Sequence, residues 1–189
     1  LFRLVDIRLL DSFNLSFTVI SSGGFIPTEN LSNIIVTKLQ IFILSISLLI
    51  SIFNFFLIYD IITRKFSLRN YQEDLHLFIF ISLATLIFYF FIIPDEKFVN
   101  VLFGIISSIS TSGIYIYSLN LDLSLFYILL TIVGGSLIST SSGFKYTRIY
   151  ILLKISYQEI YKLVKPFTVI DKNLYNLEAK INDQDVKIS

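Results

Sequence analysis

Residues 39–59 form an unbroken stretch of 21 residues without a charge, and only Gln40, Asn54 and three serines in it are polar. Crossing the roughly 30 Å hydrocarbon core of a bilayer takes about 20 such residues in a helix. Residues 75–93 form a second apolar run, interrupted only by His76 and ended by Pro94. A third begins near Leu123 and loses regularity at Gly134-Gly135; helix-like apolar sequence resumes at Phe144 and reaches Val164 with regularly spaced cations. Charged residues make up only 15% of the chain, against about 25% in soluble domains. The chain is short of polar surface, and a bilayer is its expected solvent. No series of segments alternates at period two, which argues against a transmembrane barrel.

Two shorter apolar segments, 13–25 and 98–114, cannot span. Each closes on a hydroxyl-rich, glycine-containing turn: Ser21-Ser22-Gly23-Gly24-Phe25 and Ser110-Thr111-Ser112-Gly113-Ile114. Aligned on their glycines they repeat with an offset of 89 residues (113 − 24). They read as re-entrant helices, because irregular backbone at membrane depth is tolerated only where protein buries it or where it lines a water-filled cavity. Glycine accepts the conformations that an inward-pointing row of carbonyls requires. The short helix before each turn aims its negative end there, favouring a cation. Carbonyl and hydroxyl oxygens suit a dehydrated alkali cation. The alternative is a turn that merely connects closely packed helices, where small residues are common.

The third apolar element is interrupted by residues 134–143, a stretch rich in Gly, Ser and Thr and free of charge. Each interior glycine costs a helix about 1 kcal/mol relative to alanine. Unwound backbone in transporters lies beside the permeation path, so this stretch is expected to be a movable gate below the filter; a close-packed helix contact is the alternative. Lys145 and Arg148 share a helical face just beyond it. They either neutralise carbonyl dipoles and acidic partners or snorkel to the headgroups.

Re-entrant segments enter and leave on one side, which places loop 60–74 and tail 145–189 together. That face carries 11 of the 15 basic residues, and the positive-inside rule makes it cytoplasmic. The expected organisation is an all-α membrane protein of helix–pore loop–helix repeats with about three spans, the third broken. Residues 1–59 hold a pore loop and the following helix, and 60–74 form a cytoplasmic loop. Residues 75–165 hold a complete second repeat, and 166–189 form a polar cytoplasmic linker.

Absences narrow the function. Without cysteine there is no disulfide framework or thiol chemistry. No nucleophile–base set or paired carboxylates occur in the apolar segments, and no phosphate loop or dinucleotide fingerprint appears. The chain is therefore not expected to be an enzyme or to hold a cofactor. His76 is expected at the interface rather than as a ligand. The basic tail is too diluted by acids for nucleic-acid binding, and lipid is the expected surrounding partner. Methionine is absent even at position 1, so the chain is expected to be a piece of a longer protein.

On these residues the chain resembles the Trk/Ktr/HKT superfamily of potassium transporters, most closely the TrkH type. Residues 20–25 resemble the family's second filter and residues 110–114 its third. Residues 134–148 resemble its GGxxGSTGGGxKxxR stretch, and 161–166 continue the match over nearly the whole chain. The resemblance implies four repeats around one pore, with K⁺ (or Na⁺) as the transported ion, held by backbone carbonyls of Ser22, Gly23, Gly24, Phe25, Thr111, Ser112, Gly113 and Ile114. It implies a gating loop of Gly134, Gly135, Ser139, Thr140, Ser141, Ser142 and Gly143 with Lys145 and Arg148. It further implies a homodimer in a bacterial inner membrane and a cytosolic nucleotide-binding regulatory subunit. Ile114 departs from the Phe usual after the filter glycine, and Ile138, Ser141 and Ser142 depart from the gate pattern. Only two of the four repeats are present, so the stretch alone is not expected to close a pore. A non-conducting, decayed or helix-packing membrane protein is the second reading.

Overall fold

A computed structural model of the chain describes residues 2–28, 31–64, 67, 71–94, 96–116 and 121–164. The expected linker 166–189, and with it Lys165, Lys172, Lys180 and Lys187, lies outside the described residues, as do Lys65 and Arg69. The described residues form seven α-helices: α1 (Leu9–Ser21), α2 (Lys38–Ile52), α3 (Phe55–Ile62), α4 (Gln72–Ile87), α5 (Phe98–Ile109), α6 (Leu121–Val133) and α7 (Tyr146–Val164). Among the described residues no strand occurs. The chain is all-helical, as its apolar runs predict.

The helix α4 continues through a π-helical turn at Phe88–Ile92. Residues 72–92 together are the one described helix that is long and apolar enough to cross a bilayer unbroken. Its exit is set by Pro94, which cannot continue a helix. α5 is the structural centre and packs chiefly on α2 and α6. From Val101 to Ile109 every one of its residues except Leu102 is buried. A helix apolar all round belongs inside a protein, and Gly104, Ser107 and Ser108 let neighbours approach closely. In lipid, such contacts are driven by close packing rather than by apolar transfer from water. Facing outward are Phe42, Ile46 and Ile50 of α2 and Phe78, Ile79, Leu83 and Leu86 of α4, all exposed.

Two polar members of the run 39–59 have structural duties. Gln40 closes a capping box on Thr37, accepts a second amide hydrogen bond from Val36 and donates to the Val5 carbonyl at 2.9 Å. Asn54 ends the run as a straight element. The sequence reading made residues 39–59 one span, but α2 and α3 meet at a 108° bend across Phe53 and Asn54. Both residues adopt extended ψ, and the Asn54 side chain accepts the Phe56 amide to start α3. Asn is a strong helix N-cap, and here that preference restarts the helix in a new direction. Tyr71 ties the far end of α3 to the start of α4 by donating to Asp60 at 2.6 Å. That bond holds the proton on the phenol and pushes its pKa up to about 12.

The third apolar element breaks where the glycines predict. α6 stops at Val133, α7 starts at Tyr146, and the twelve residues between them form a folded loop.

Candidate functional site

The two Ser/Thr-Gly turns have the same backbone. Ser22 and Gly24 have φ of 50° and 69°; Thr111 and Gly113, each 89 positions later, have φ of 62° and 63°. The residue between each pair, Gly23 or Ser112, keeps ordinary φ, so the sign of φ alternates along both turns. Each turn is also held by the same clip. Thr18 donates its hydroxyl to the Phe25 carbonyl; Ser107 donates to the Ile114 carbonyl at 2.6 Å. The Gly23 amide reaches back to the Thr18 carbonyl at 3.3 Å and the Ser112 amide to the Ser107 carbonyl at 3.1 Å. Every one of these pairs is related by the offset of 89, so the repeat read from two glycines extends to backbone and hydrogen bonds.

These clips sort the carbonyls. Those of Phe25 and Ile114 already accept a hydroxyl. Among the described residues, the carbonyl oxygens of Ser22, Gly23, Gly24, Thr111, Ser112 and Gly113 accept no protein hydrogen bond. Six oxygens are thus left for a ligand. The turns are in contact: a Cβ added to Gly24 would fall 2.0 Å from the Ser112 carbonyl oxygen, whereas one added to Gly113 would meet nothing within 4 Å. Gly24 therefore needs glycine for both its φ and its space, and Gly113 for φ alone. Phe25 is exposed while Ile114 is buried.

The loop 134–145 lies against both the second turn and the α2–α3 bend. Ser142 donates its amide and hydroxyl to Thr111 Oγ1 at 3.1 and 2.9 Å. The bend and loop exchange backbone bonds: the Ser136 amide donates to the Ile52 carbonyl at 2.9 Å, and the Phe55 amide to the Ile138 carbonyl at 3.0 Å. Thr140 adds a bond to the Ser51 carbonyl. Inside the loop, the Lys145 ammonium donates to the Ser139 carbonyl and hydroxyl, both at 3.1 Å, and to the Ser141 carbonyl. Of the two readings for Lys145, this geometry is the neutralisation of carbonyl dipoles. Gly135 donates to Ser141 Oγ and accepts from the Tyr146 amide, both at 2.9 Å, closing the base. Arg148 does not join Lys145. It lines a cavity of about 560 Å³ with Thr111, Thr131, Ile132, Ser142, Gly143 and Phe144.

Four residues that hold the site were not singled out from the sequence. Thr18 and Ser107 each precede their turn glycine by six positions (24 − 18 and 113 − 107), so extending the repeat backward finds them. Glu73 and Asp74 fall within the stretch read as the cytoplasmic loop 60–74. In fact Glu73 Oε1 accepts the Leu137 amide at 2.8 Å and Asp74 Oδ1 the Asn54 amide at 2.9 Å. Among the described residues no group of three metal-ligating side chains occurs, and the unclaimed oxygens of the turns are backbone ones.

Paired helix–turn units with free carbonyls, on a frame of apolar helices, define a membrane-helical fold with a re-entrant-type architecture. The chain shares that fold with the crystal structure of the potassium transporter TrkH from Vibrio parahaemolyticus, at a TM-score of 0.81 and 23% identity. The match covers 98% of this chain and 42% of that protein, so the chain spans less than half of the neighbour's length. No family model and no curated protein sequence matches the chain at a significant level.

Proposed function

We propose that the chain is two quarters of a potassium-uptake transporter, with the turns at Gly24 and Gly113 contributing adjacent sides of a carbonyl-lined filter. The observation that carries this reading is the twice-built turn: alternating φ sign, one hydroxyl clip and three free carbonyls, repeated at a single offset. Ring-like sets of carbonyls replace the hydration shell of K⁺ in filters. In this reading Ser22, Gly23, Gly24, Thr111, Ser112 and Gly113 offer oxygens to K⁺, with Na⁺ the other candidate ion. Phe25 and Ile114 anchor the turns through their clipped carbonyls. The loop of Gly134, Gly135, Ser139, Thr140, Ser141, Ser142 and Gly143 gates the path, with Lys145 bracing it and Arg148 lining the space beside it.

The coverage of less than half of the neighbour supports a division of labour in which further repeats complete the pore. The protein would lie in a bacterial inner membrane with loop 60–74 and the tail cytoplasmic. It would act as a homodimer, with a cytosolic nucleotide-binding subunit as regulator. The same coverage favours one second reading, a non-conducting membrane protein that keeps the fold only as a packing partner.

The test is Rb⁺ uptake by potassium-uptake-deficient cells carrying the complete transporter that contains these repeats. Gly113→Asp, expressed at the native level, should abolish uptake. Unchanged uptake would remove the filter assignment. Absence of uptake by the unaltered protein as well would favour the second reading.

A further inference from the structure

Breaking a helix at membrane depth leaves amides and carbonyls that no water can satisfy. Two helix breaks meet here, the α2–α3 bend and the 134–145 loop, and they satisfy each other in part. The Ser136 amide and Ile52 carbonyl pair, as do the Phe55 amide and Ile138 carbonyl. Two further amides are those of Asn54 at the bend and Leu137 in the loop. Consecutive carboxylates of one helix take them: Asp74 accepts from Asn54 at 2.9 Å and Glu73 from Leu137 at 2.8 Å. Both acids lie in the first turn of α4, where the positive helix end stabilises negative charge. Among the described residues neither forms an ion pair with a cation. Glu73 Oε1 and Asp74 Oδ1 are thus each spent on a backbone amide of another element.

We propose that Glu73 and Asp74 form a two-pronged anchor on the one unbroken span, setting the resting position of the 134–145 loop against the α2–α3 bend. They are positioning residues: neither reaches the free carbonyls of the turns, and both act through the backbone they hold. A carboxylate accepting an amide bond makes a stronger contact than a neutral group. Glu73 is the prong that a moving loop must release, while Asp74 keeps the bend in place as its dock. As a control on ion flow this deepens, and rests on, the transport reading above; as a mechanical statement it does not depend on it.

Amide exchange of the complete protein that contains these repeats, in lipid nanodiscs, separates these levels. Glu73→Ala should speed exchange in 134–142 about tenfold, the equivalent of one charge-assisted hydrogen bond, with 98–109 unchanged. Glu73→Gln keeps an acceptor oxygen and should give a clearly smaller acceleration. Asp74→Ala should act first on 53–56. Unchanged exchange in 134–142 in Glu73→Ala, with 98–109 native, would overturn the anchor, as would a Gln variant as fast as the Ala variant. If Glu73→Ala loses protection throughout, Glu73→Gln decides: acceleration confined to 134–142 supports the anchor and none overturns it. Accelerated exchange with unaltered Rb⁺ uptake by the complete transporter would retain the anchor and count against the loop as gate.

Discussion

The two glycine turns share a backbone yet differ in what surrounds them. The first, at Gly24, is pressed against the second: its Cα faces the Ser112 carbonyl with no room for a methyl group. The second, at Gly113, opens on free space. The hydroxyls at the paired positions differ in the same sense. Ser22 Oγ is buried without a hydrogen-bond partner, whereas Thr111 Oγ1 accepts two bonds from Ser142 and donates to the Ser110 carbonyl at 2.6 Å. The clip is also heavier in the second copy, where the Ser107 hydroxyl further accepts the Ile114 amide at 2.8 Å. One repeat thus supplies a turn fixed by its neighbour; the other supplies a turn wired to the loop. A duplicated unit keeps its backbone while its contacts specialise.

The sharpest way to break this comparison is to add one methyl group to each glycine. Gly24→Ala combines a left-handed φ, costing about 1–2 kcal/mol, with a backbone collision, and should lose most folded protein on size-exclusion in detergent. Gly113→Ala carries the φ cost alone and should remain folded with a lowered melting temperature. Equal losses would show that the turns are not packed as described. Next in size is the clip. Ser107→Ala orphans the Ile114 amide and carbonyl in a buried site, at about 1–3 kcal/mol for each group. Thr18→Ala orphans one carbonyl, so its melting temperature should fall less; the reverse order would contradict the heavier second clip. Smaller still is Thr111→Val, which keeps shape and removes the acceptor for Ser142. Amide exchange at Ser142 should rise severalfold with the melting temperature little changed. Ser22→Ala removes a buried hydroxyl that bonds nothing and should leave the melting temperature unchanged or raise it. A large loss there would mean that Ser22 has a partner in the folded protein.

Much of this arrangement is legible in the sequence because it is local. The Ser-Gly spacing sets the turns, the charge-free runs set the helices, and Gly134-Gly135 sets the break before α7. The bend at Phe53 and Asn54 is not legible in the same way. A single Asn in a run of 21 apolar residues reads as a tolerated polar residue, and its N-cap role appears only once Asp74 and Ile138 satisfy the amides beside it. Glu73 and Asp74 are hidden for the same reason, since their partners lie 64 and 20 positions away. Lys145 shows the intermediate case: its place after the glycines was visible, but its bond to the Ser139 carbonyl depends on how the loop folds back.

In the proposed function both turns face one cation through their unclaimed carbonyls. Anomalous diffraction from crystals of the complete protein that contains these repeats, soaked in Rb⁺ or Tl⁺, is the decisive test. The expected result is an ion peak coordinated jointly by carbonyls of residues 22–24 and 111–113, lost in Gly113→Asp. A peak touching neither turn, or one held by the Phe25 and Ile114 carbonyls alone, would contradict it.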